Sequence, residues 1–69
     1  MMYVTKMIGE QKWVLCYSTE AADLKDLCLR PITEHGRPKL TIMFYEESSA
    51  AQAAQSVGLT GYTIQSIGA

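Results

Sequence analysis

The chain reads as an α+β two-layer sandwich in the order β-β-α-β-α-β, with a mixed four-stranded sheet and two short helices on one face. Three observations lead there. Two apolar runs flank Gly9, two stretches carry helical spacing or caps, and two further runs alternate in the manner of strands. At 69 residues there is room for a single small domain spanning 1–69, and a chain of this length buries only about 60% of the surface its unfolded form exposes.

Tyr3 to Ile8 has strand composition, Gly9-Glu10-Gln11 breaks it, and Lys12 to Ser18 resumes it, so the pair is expected to form a β-hairpin. Within the second run Trp13, Leu15 and Tyr17 share one face while Val14 and Cys16 share the other. Both faces are apolar, so this strand is expected to be covered on both sides or to be central. Ser18 or Thr19 can cap a helix whose stripe is Leu24, Leu27 and Cys28, with Glu20 and Asp23 near its positive end and Pro31 closing it at Arg30. Arg30 to Lys39, punctuated by Pro31, Gly36 and Pro38, reads as a loop. Leu40 to Tyr45 alternates with apolar residues on both faces and reads as an inner strand. Ser49-Ala50-Ala51-Gln52 fits a capping box. The alanines that follow build a thin helix, and Gly58 stands where a left-handed terminating residue belongs. Tyr62 to Ile67 reads as the last strand, expected to lie parallel to Leu40–Tyr45 through a right-handed crossover.

Composition narrows the function. Hydrophobic residues are 48% of the chain, charged residues 19%, and the net charge is −1. This is globular composition without a basic field to draw in nucleic acid. The longest apolar runs are far too short to cross a bilayer, and the first residues lack a basic segment followed by an apolar one. A cytoplasmic location without membrane contact is therefore expected. Neither a phosphate-binding glycine loop nor a dinucleotide fingerprint is present. Cys16, Cys28 and His35 are too few for a structural zinc site, so no metal and no cofactor are expected. The plainest role for the two cysteines is as small buried hydrophobes, since a bridge requires an oxidising compartment. A Cys/His nucleophile would have to draw on a mid-strand or helix-face thiol, which is normally inert, and the chain is expected not to be an enzyme.

Two features remain. All six basic and seven acidic side chains lie between Lys6 and Glu47, and Ser48–Ala69 has none. Exposed strand edges are usually guarded by charge or proline. Tyr62, Ile64, Gln65 and Ile67 are therefore either part of a buried strand or a partner-binding surface, for another protein or for a second copy of this chain. Arg30, His35, Arg37 and Lys39 form the second feature, a basic stretch containing three of the six Lys/Arg residues. It reads as a solvated loop, or as a contact supplying charge complementarity to a protein partner. A nucleic-acid contact through this loop is the alternative, and it would be steeply salt-dependent. The succession Phe44–Ile67 is similar to the half-repeat of small two-layer domains, SPOR-type modules among them, but carries no motif by which residues could be transferred. The expectation is a small non-enzymatic binding or regulatory protein acting by protein–protein contact. Accessory and inhibitor proteins of phages, prophages and plasmids share this general profile.

Overall fold

A computed structural model describes residues 1–20 and 26–68. It shows a small α+β domain with strands β1 (Met2–Ile8), β2 (Gln11–Tyr17), β3 (Leu27–Pro31) and β4 (Thr63–Ser66), and one helix among the described residues, α1 (Glu47–Ser56). The sheet order is β3-β2-β1-β4, and every neighbouring pair is antiparallel.

The hairpin forms as its sequence dictates. Ile8 pairs with Gln11, leaving Gly9-Glu10 as a two-residue turn. Gly9 has φ 64° and, among the described residues, no non-glycine residue has positive φ, which is the pattern of a type II′ turn with glycine at its first central position. β2 is an inner strand, as its two apolar faces require. Leu15 packs with Val4, Ile42, Ala50 and Ala54 under the helix, with Tyr17 beside them. Val14 and Cys16 pack with Tyr3 on the opposite face.

Three expectations need correction. Leu27 to Arg30 is not helical. It forms β3, paired with β2 from Tyr17↔Leu27 to Trp13↔Pro31. Leu27 and Leu29 turn to the helix-side cluster while Cys28 turns to the other, so a period of two fits this segment as well as the helical stripe did. The part of the expected helix over 21–25, including Leu24, lies outside the described residues. The sheet is antiparallel rather than mixed, because β4 pairs with β1 (Val4↔Ile64) and not with the 40–45 segment. The Phe44–Ile67 half-repeat is therefore not formed as a βαβ unit.

The third correction concerns that segment. The β1–β2 ladder ends at Thr5↔Val14, and residues 40–44 wedge between the strands where they part. Tyr17 N–H donates to the Leu40 carbonyl at 3.0 Å, Ile42 N–H to Leu15 at 3.1 Å, and Met2 and Phe44 exchange both bonds at 2.8 Å. Cys16↔Thr41 and Met2↔Phe44 are both antiparallel bridges. Since β1 and β2 run oppositely, the wedge must bend between Thr41 and Phe44, so no regular strand develops. It is inner, as expected, and Ile42 is 3% exposed.

Helix α1 begins three residues earlier than the capping box implies. Glu46 is its N-cap and makes no side-chain cap bond, so Ser49 sits inside the first turn. Its C-terminus follows the sequence closely. Gly58 has φ 71°, its N–H donates to Gln55, and Leu59 N–H reaches back to Ala54 at 3.0 Å. This is the Schellman pattern, and Leu59 packs into the cluster that holds Ala54. Gly58→Ala would meet no steric neighbour, yet its left-handed backbone should cost about 1 kcal/mol in urea unfolding. A neutral result would mean that the helix ends differently.

Candidate functional site

β3 and β4 are the two sheet edges, and they differ chemically. β3 carries Arg30 and Pro31, both of which discourage strand addition. β4 has the sequence Thr-Ile-Gln-Ser, with neither charge nor proline. The register tells which of its peptide groups are free. Ile67 N–H donates to the Met1 carbonyl at 2.9 Å, so Ile67, Gln65 and Thr63 turn their backbone polar groups toward β1. Ile64 and Ser66 turn theirs outward. Among the described residues, no backbone partner from elsewhere in the chain reaches those outward groups.

The side chains of the expected partner-binding residues are mostly engaged. Tyr62 and Ile64 are half-buried against the helix-side cluster, and the Tyr62 hydroxyl accepts from Gln55 Nε2 at 3.5 Å. Ile67 packs on the opposite cluster. Gln65 Oε1 accepts from Lys12 Nζ at 3.5 Å. What β4 presents is therefore its backbone. The residue missed in the sequence is Ser66, which is exposed. Strand parity relative to a known partner would have found it, but the partner strand was not legible.

The basic stretch is not one loop. Arg30 belongs to β3, where its Nη2 donates to the Ser18 carbonyl at 3.0 Å and its Nε is buried without a partner. Thr33 and Gly36 exchange backbone bonds around Glu34-His35, a tight turn that displays His35 in solvent, 3.8 Å from Glu34. Lys39 is exposed. Arg37 reaches the sheet, its guanidinium 5.0 Å from the centre of the Tyr3 ring. Tyr3 is the register partner of Gln65, so Arg37 stacks on the residue opposite Gln65, whereas Arg30 and His35 are engaged elsewhere. Lys12 approaches Gln65, and Lys6 Nζ donates to the Thr60 carbonyl just before β4. The uncharged edge is thus bordered by cations drawn from elsewhere in the chain.

The same geometry bears on catalysis. Burial pushes the Cys16 thiol up, with the Thr41 hydroxyl partly offsetting it. His35 stands in a solvent-exposed turn, and its side-chain neighbour is Glu34. Among the described residues no three His, Cys, Asp or Glu side chains converge as metal ligands, and no helix is long and apolar enough to cross a membrane. Neither a family model, nor a curated protein, nor a solved structure matches the chain.

Proposed function

We propose that this chain is a small non-enzymatic binding protein of regulatory type, which acts by taking an extended segment of another protein onto β4. The observation that carries this reading is the outward-facing, unguarded pair of peptide units at Ile64 and Ser66. Strand addition draws affinity from main-chain bonds and specificity from neighbouring side chains. Here the flanking Lys6, Lys12 and Arg37 favour a segment that carries carboxylates beside its central strand, which would raise the association rate. An accessory protein or inhibitor that occludes its target needs nothing more than such a surface. The nucleic-acid alternative loses Arg30, whose guanidinium is committed to Ser18.

Ser66→Pro tests the edge with little effect on the fold. The outward N–H is removed while the β1 ladder keeps its donors, and proline is tolerated on edge strands in that orientation. It is a cleaner probe than Gln65→Lys, which would place a second cation beside Lys12. Tagged wild-type chain should retain one stoichiometric protein from nuclease-treated host lysate, and Ser66→Pro, folded by circular dichroism, should lose it at least tenfold. Equal retention by both chains would reject strand addition. Recovery that disappears with nuclease would replace this reading with the nucleic-acid one.

A further inference from the structure

We infer that Cys16 and Cys28 form a dithiol site which a small-molecule disulfide, of the glutathione-disulfide class, converts to a cross-strand disulfide between β2 and β3. The two residues are direct register partners. Ser18 N–H donates to Asp26 and Ile32 N–H to Lys12, so every second pair between these limits, Cys16↔Cys28 included, exchanges both backbone bonds. Such pairs hold their Cα atoms about 5.5 Å apart, within the 4.4–6.8 Å window of disulfides. Directly opposed residues project to the same face of a sheet, and both cysteines belong to the cluster around Tyr3 and Val14. Both are free thiols here. Cys16 Sγ donates toward the Val14 carbonyl at 3.5 Å and Cys28 Sγ toward the Tyr17 carbonyl at 3.8 Å. These are weak sulfur bonds; forming the S–S bond exchanges them and draws the two Cβ atoms, about 5 Å apart in such a pair, to about 4 Å.

Their surroundings assign an order of events. Cys16 is fully buried, whereas Cys28 is half-buried on an edge strand. Cys28 is therefore the thiol that a small disulfide reaches first, and the buried Cys16 follows. Cys28 thiolate attacks one sulfur of the small disulfide, forms a mixed disulfide and releases one thiolate. Cys16, giving up its proton, then attacks the Cys28 sulfur and releases the second. Two protein thiols are oxidised, one disulfide is reduced to two thiols, and no other reactant is needed. The product ties the β3 edge to the inner strand and closes residues 17–27 into a loop.

The reduced full-length chain, native and without denaturant, is equilibrated with glutathione buffers of rising oxidised fraction, alkylated with iodoacetamide and weighed intact. The expected product is a monomer that has lost two hydrogens and takes up no label, with a melting temperature raised by roughly 5–10 °C and restored by dithiothreitol. Cys16→Ala should stop at a glutathione adduct on Cys28, while Cys28→Ala should leave Cys16 free. Persistence of both free thiols in the most oxidising buffer overturns the inference. So does a wild-type chain that stops at the glutathione adduct, bridges only between chains, or bridges only in urea. The wild-type measurement is decisive even if a variant fails to fold.

Discussion

Leu15→Ala is expected to leave much of the chain unfolded at 25 °C. Leu15 is 1% exposed and lies at the centre of the cluster formed by Val4, Ile42, Ala50 and Ala54. Truncating such a leucine removes its transfer free energy and leaves a cavity, together about 2–5 kcal/mol. A domain of this size has only about 3–5 kcal/mol in total. Two of the five members of the cluster are alanines, which have no further side chain with which to fill the space. Urea titration followed by circular dichroism should show the native baseline shortened or absent. Leu27→Ala, on half-buried β3, should cost less. A loss below about 1 kcal/mol for Leu15 would show that the helix can settle onto the sheet and close the cavity.

The second large effect is expected from the opposite change. Ala50 and Ala54 are both 0% exposed, and they form the face by which α1 rests on the sheet. Ala54→Leu inserts three carbons where the backbone approaches closely, and overpacking of this kind costs about 1–3 kcal/mol. The helix would have to lift, and the Leu59 N–H bond to the Ala54 carbonyl would be strained with it. Gln52→Leu, two residues earlier and exposed, should stay within about 0.5 kcal/mol because it touches none of this. Comparing the two urea midpoints isolates packing from helix propensity. A stabilising Ala54→Leu would reveal unfilled volume beneath the helix.

The candidate site was only partly legible in the sequence. The lack of charge after Glu47 was visible, and it led to Tyr62, Ile64, Gln65 and Ile67. The structure shifts attention from their side chains to the backbone of Ile64 and Ser66, since which peptide groups are free depends on the strand opposite. The basic residues were grouped by closeness in sequence. In space Arg30 is held by Ser18 and Arg37 by Tyr3, while Lys12, far away in the chain, stands beside Gln65.

By itself the sequence determined the β1–β2 hairpin, the division of β2 between two apolar clusters, the body of α1 and its termination at Gly58. Each of these depends on contacts within a few residues: a positive-φ glycine, a period of two, a run of good helix formers. Tertiary structure alone decided that Leu27–Pro31 is a strand, that residues 40–44 bend into a wedge, and that β4 closes against β1. Leu27 and Cys28 satisfy a helical stripe and a strand alternation equally. The outcome went to the conformation whose N–H and C=O groups β2 could pair, because a buried peptide group without a partner costs more than local propensity returns.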